Sequence, residues 1–164
     1  MQEDKATDEF LKTVGTYVIV FQAVESKIEE IIQIWCGLDK FERTKRKLAR
    51  LTTAEKISKL SMLFLKTPEN RRALEREGYP TYFADLVARL EQARLDRNRL
   101  VHSHYLFDFM RFGGPIIQAD HRKGPVSFSE EEQQRLTTSI SQLYIEVGRA
   151  HRQAIHDFEH LQQD

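Results

Sequence analysis

The sequence predicts a mainly α-helical protein, an antiparallel bundle of four to five helices with one inserted β-hairpin. Three observations predict it. Near both ends of the chain, apolar residues recur at alternating spacings of four and three, the stripe of a long helix that packs on another. Between them an aromatic, extended run meets a Gly-Gly pair, the mark of two strands joined by a turn. The composition, 40% hydrophobic and 30% charged over 164 residues, suits one domain with its own core.

The first helix is expected from about Asp8 to Cys36. Its stripe is Phe10, Val14, Tyr17, Phe21, Val24, Ile28, Ile31 and Trp35. Thr7 or Asp8 would cap its start and Gly37 would end it. A basic stretch follows, with Lys40, Arg43, Lys45, Arg46, Lys47 and Arg50. A second helix begins near Thr53, turns Ile57, Leu60 and Phe64 inward, and stops at Pro68. Glu69–Gly78 reads as a charged helical turn or loop. Pro80 suits a first helical turn, and Phe83, Leu86, Val87 and Leu90 form the inward face of a helix that continues to about His102. The hairpin insertion spans about 104–124. Tyr105–Phe112 is one strand, Gly113-Gly114 the turn, and Pro115–Arg122 the return, with proline at an edge. Ser129-Glu130-Glu131-Glu132 is a capping box. It opens a last long helix with Leu136, Ile140, Leu143, Val147, Ala150, Ala154, Phe158 and Leu161 inward. The two long helices are expected to lie antiparallel as neighbours.

Several function classes are set aside. Net charge is zero, so any nucleic-acid affinity must come from local clustering of charge. Cys36 is the single cysteine and cannot form an intramolecular disulfide. The first residues are polar and mixed in charge, unlike a signal peptide, and no apolar run would span a bilayer. A cytoplasmic protein without membrane association, one domain over 1–164, is expected. His121, His151, His156 and His160 form no ligand set, so no metal and no cofactor are expected. His156 and His160 have a spacing that can hold zinc, yet no glutamate base accompanies them. No glycine loop cradles a nucleotide.

The helix ending near His102 carries an anomaly. Projected at about 100° per residue, Phe83, Val87, Leu90 and Val101 lie near one line, with Arg94 and Arg97 inside the same stripe. Unpaired charges do not belong on a buried face. Asn98 and His102, four apart, are neighbours on its flank. One reading is structural: Arg97 pairs with a carboxylate such as Glu25 or Glu29 on the first helix.

The other reading comes from a resemblance. Arg97-Asn98-Arg99-Leu100-Val101-His102 resembles the motif of the HEPN superfamily (higher eukaryotes and prokaryotes nucleotide-binding): arginine, a polar residue, a few variable residues, histidine. The specific likeness covers these six residues; the helical plan around them is similar in general terms, and the hairpin departs from the minimal bundle. The resemblance implies a HEPN-like fold and a metal-independent endoribonuclease, with Arg97 and His102 as the catalytic pair and Asn98 as a polar helper. It implies a homodimer in which two motif helices meet in one cleft. It also implies a toxin of a toxin–antitoxin system or an antiphage (antiviral) defence effector, with an antitoxin protein as partner. A non-catalytic HEPN-like module that binds RNA, a nucleotide or a protein is the alternative.

The chemistry is coherent. Without a metal, the ribose 2′-hydroxyl attacks its own phosphate. A histidine can exchange protons near neutral pH, and an arginine fork can hold the charge that develops on phosphorus. DNA lacks the nucleophile. Arg94 and His104 beside the motif, and Lys45, Arg46 and Lys47 in the basic stretch, are candidate RNA contacts. The basic stretch reads equally well as a solvated face.

Overall fold

The protein, seen in a computed structural model, is described over residues 2–66, 78–106, 116–120 and 124–161. Five helices are described: α1 (Gln2–Cys36), α2 (Phe41–Leu48), α3 (Thr53–Lys66), α4 (Tyr79–His102) and α5 (Glu130–Leu161). A 3-10 turn, Leu38–Lys40, joins α1 to α2. Strands β1 (His104–Leu106), β2 (Ile117–Asp120) and β3 (Gly124–Ser127) lie between α4 and α5.

The amphipathic stripes account for the core. Phe10, Tyr17, Phe21, Val24, Ile28 and Ile31 of α1 are buried against Leu136, Ile140, Leu143, Val147 and Ala154 of α5, with Ile57, Leu60 and Phe64 of α3 and Phe83, Leu86 and Leu90 of α4 in the same cluster. The side chains of Phe158 and Leu161 lie outside the described residues, as does the expected turn or loop Glu69–Gly78 except for Gly78 itself. At one end of the bundle Phe64 stacks on Phe83 with ring centroids 3.6 Å apart, and Trp35 and Tyr79 close around them. Cys36 packs on the edge of this cluster.

Helix ends follow local chemistry, with two corrections. Neither Thr7 nor Asp8 caps α1, because the helix runs through both from Gln2. Gln2, Glu3, Lys5 and Ala6 are good helix formers and extend it. Gly37 does end α1, at φ +93°, where an L side chain would be strained and its Cβ would meet the Asp39 carboxylate. The Ser129 hydroxyl accepts from the Glu132 N–H at 3.3 Å, one half of a capping box. The Glu132 carboxylate does not reach back. It goes to Arg99 and Arg135 instead.

The orientation of α5 differs from expectation. Thr13 bonds Gln133, Lys27 lies over the Tyr144 ring, and His151 pairs with Glu30, so α1 and α5 run parallel. Helix α4 is antiparallel to both, since Tyr17 meets Ala93, and Arg99 and Arg89 meet Glu132 and Glu146. The cause is α2. Most of the basic stretch forms a short helix, and its eight residues carry the chain only about 12 Å back along α1. Helix α3 then rises beside α1 again. One extra reversal leaves α5 parallel to α1.

Between α4 and α5 the described strands form a three-stranded antiparallel sheet in the order β1-β2-β3. His104 pairs with Ala119 and Leu106 with Ile117. The third strand was not anticipated; Pro125 sits in it opposite Ala119, on an edge where a missing N–H costs little. The proposed Gly113-Gly114 turn lies outside the described residues.

Candidate functional site

Helix α4 positions the motif, and its burial pattern corrects the projection. The inward line is Phe83, Leu86, Leu90, Ala93, Asp96 and Leu100. Leu100, not Val101, faces the core; Val101 is 44% exposed. Arg94 and Arg97 are half-buried on the adjoining line. The top of that line, at Phe83, is covered by Phe64 of α3. Helix α3 begins only at Thr53, so the lower part of the line leaves its cover and meets solvent. Arg97, Asn98, Val101 and His102 therefore share one accessible face, next to an exposed Leu95.

The arginines of α4 have different fates. Arg89 pairs with Glu146 and lies 3.8 Å from Asp85. Arg94 donates to Glu91 at 2.7 Å. Arg99 pairs with Glu132 and lies 3.7 Å from Asp96. Arg97 alone among them has no carboxylate partner among the described residues; its Nη1 donates to Asn98 Oδ1 at 3.1 Å. The expected pairing of Arg97 with Glu25 or Glu29 does not occur. Those carboxylates hold the buried Lys56 ammonium at 2.8 and 2.6 Å. Burial pulls the Lys56 pKa down, but the hydrogen bonds to Glu25 and Glu29 outweigh it and the net direction is up. The His102 ring is exposed one turn beyond Asn98, and among the described residues nothing hydrogen-bonds to it.

Behind this face lies a network that the sequence did not reveal. Asp96 is 5% exposed and accepts from Gln92 Nε2 at 3.2 Å. Arg135 bonds Glu132 through Nε at 2.7 Å and approaches Asp96 at 3.6 Å. The Arg135 hydrogen bonds, with those of Arg99, hold the Glu132 carboxyl at about 2. Tyr17 donates to the Ala93 carbonyl at 3.3 Å; burial, then the nearby Asp96 charge, pushes its hydroxyl well above the usual range.

The sheet fixes the last turn of α4. A helix leaves its final carbonyls without partners. Here Tyr105 donates to the Leu100 carbonyl at 2.9 Å. Gln118, 3% exposed on the central strand, donates to the Arg99 carbonyl at 3.3 Å and to Ser103 Oγ at 3.0 Å. His102 thus stands on a turn clamped from below. Burial raises the Tyr105 hydroxyl to about 12, so it stays a donor.

The structure brings Arg94, Arg97, Asn98 and His102 to one face. His104 follows in β1, its side chain outside the described residues. Lys45, Arg46 and Lys47 are not part of this cluster; they are exposed on α2, farther along the bundle. Glu30 pairs with His151 at 2.8 Å, so Glu25, Glu29 and Glu30 are all structural. Among the described residues no group of histidines, cysteines and carboxylates could hold a metal, and no helix is long and apolar enough to cross a membrane. His121 and His160 lie outside the described side chains, and His156 is exposed 3.7 Å from Asp157. Comparison with protein-family models, with curated proteins and with solved structures gives no match.

Proposed function

We propose that the protein is a metal-independent endoribonuclease of the HEPN type. Arg97 holds the phosphate, Asn98 orients Arg97, and His102 transfers the proton. One observation carries the reading: Arg97 is the arginine of α4 that the fold leaves without a carboxylate, and it shares an open face with Asn98 and His102. A buried or paired arginine would be structural. One on an open face beside an exposed histidine is suited to an anion and a proton. The Asn98 bond holds one corner of the guanidinium and leaves its other donors for phosphate oxygens.

The reading places the site in a cleft between two copies, with Leu95 and Val101, both exposed, as apolar contacts beside the motif. Arg94 and His104 would line the same cleft. A role as a toxin or antiphage effector, restrained by an antitoxin protein, belongs to this reading.

The test uses purified chain, total RNA or tRNA, and a chelator. Wild type is expected to cut RNA and spare DNA with the chelator present. His102→Ala and Arg97→Ala are expected to lose at least about 100-fold in rate while keeping the wild-type melting temperature. Folded wild type that cuts none of these RNAs overturns the enzyme reading and leaves a binding module. A monomer by light scattering with full activity overturns the shared cleft.

A further inference from the structure

Residues 40–50 hold six cations and one anion, a net +5 in a chain whose net charge is zero, so the other residues sum to −5. Helix α2 presents this charge in one sense. Thr44 and Leu48 are buried and anchor it, while Arg43, Lys45, Arg46, Lys47 and, just past the helix, Arg50 are exposed. Five cations elsewhere in the fold, Lys56, Arg89, Arg94, Arg99 and Arg135, have carboxylate partners. Among the described residues, Arg43, Lys45, Arg46 and Lys47 have none; the Arg46 Nε donates only to the Glu42 carbonyl. Like charges side by side repel, and nothing described in the fold balances them. Such a surface is complementary to a polyanion.

Its level along the bundle relative to the motif follows from three bonds. Gln133 bonds Thr13 and the adjacent Glu132 bonds Arg99, so the motif is level with Thr13 of α1. Thr53 donates to Glu25 at 2.9 Å, so the end of the basic stretch is level with Glu25. Thirteen to twenty-five on a helix is about 18 Å. A stacked strand advances about 3.4 Å per nucleotide, so roughly five to six nucleotides cover that offset along the bundle axis.

We propose that α2 is a docking surface for RNA backbone, serving strands that extend about six nucleotides or more from the scissile phosphate. The substrate class is then long or structured RNA, not short oligonucleotides. The spacing rests on the reading of Arg97–His102 as an RNA-cleaving site; the docking itself does not.

The experiment measures binding by the full chain carrying His102→Ala, so that RNA stays intact. Labelled RNAs of about 20 and about 4 nucleotides are titrated by anisotropy between about 50 and 200 mM salt. The longer RNA is expected to show the steeper salt dependence. Lys45→Gln with Arg46→Gln and Lys47→Gln should lower the slope of log K against log salt for the longer RNA by about 2, at about 0.7 per phosphate on a single strand. Arg46→Gln alone, a milder change, should lower it by about 0.7. Unchanged slopes in both variants overturn the docking surface. So does binding of these cations to phosphatidylserine vesicles with no effect on RNA. If the slopes fall while wild type cuts nothing, docking stands and the cleavage reading falls; cleavage with unchanged slopes gives the reverse.

Discussion

The two ends of α4 are joined to the bundle by different physics. At Phe83 the helix is held by stacked rings and aliphatic side chains from three other helices. At Asp96–Arg99 it is held by charges: Asp96, Arg99, Glu132 and Arg135 form one network, capped below by Gln118 and Tyr105. Apolar packing rewards a close fit and tolerates little polarity. An ionic network tolerates water nearby and holds directions. The end that carries Arg97 and His102 is built in the second way, so under the proposed reading the contrast separates a part that stabilises from a part that aims.

The largest effect should come from breaking the apolar end. Phe83→Ala removes a stacked ring and leaves a cavity, at a cost of about 3–5 kcal/mol in chemical denaturation. If the contrast holds, a destabilised but still folded Phe83→Ala keeps its cleavage rate below its melting temperature. Asp96→Asn should cost less, about 1–3 kcal/mol, because Arg99 and Arg135 keep Glu132. Under the proposed reading its cleavage rate should nevertheless fall, since Arg99 lies within the motif segment; a rate equal to wild type would sever the network from the site. Gln118→Ala should cost about 1–2 kcal/mol. Its signature is faster amide hydrogen exchange at the last turn of α4 and not at Phe83; uniform change along the helix would remove the clamp.

The smallest effects are titrations, and they distinguish the ends by pH. His151, nearer the apolar end, has its pKa lowered by burial in spite of Glu30. The unfolded chain binds that proton more readily, so stability falls as pH drops below about 6.5 and levels off once the folded His151 is protonated. Glu132 titrates the other way round in origin. Arg135 and Arg99 hold it at about 2 against 4.5 ordinarily. Its contribution is full above pH 4.5 and is lost as pH falls toward 2. Urea midpoints for His151→Gln should be flatter near pH 6, and for Glu132→Gln flatter near pH 3. The same profile in both variants would contradict these assignments.

What could be read from residues alone follows range. The stripes of α1 and α5, the Pro80 start of α4 and its end at His102 are local patterns with a local cause. Interactions between distant residues were not legible. Arg99 and Glu132 are 33 apart, and Lys56 with Glu25 is 31 apart; no periodicity links them. Val101 and Leu100 differ by one step on a helix whose buried face drifts along its length, and the projection chose the wrong neighbour. Strand β3, Gly124-Pro125-Val126-Ser127, holds two residues that strands usually avoid. The basic stretch read as a run of charge, because only Thr44 and Leu48 face inward, and missing that helix reversed the direction assigned to α5. The motif residues were named from a resemblance over six residues; why their face is open depends on where α3 begins.

The parallel course of α1 and α5 has a practical consequence. Polypeptide joined before Gln2 emerges at the motif end of the bundle, whereas polypeptide joined after Leu161 emerges at the other, beyond the full length of α5, whose 32 residues span about 48 Å. An affinity tag or fluorescent partner at the front would crowd the face that carries Arg97 and His102. The same addition at the back would leave it free.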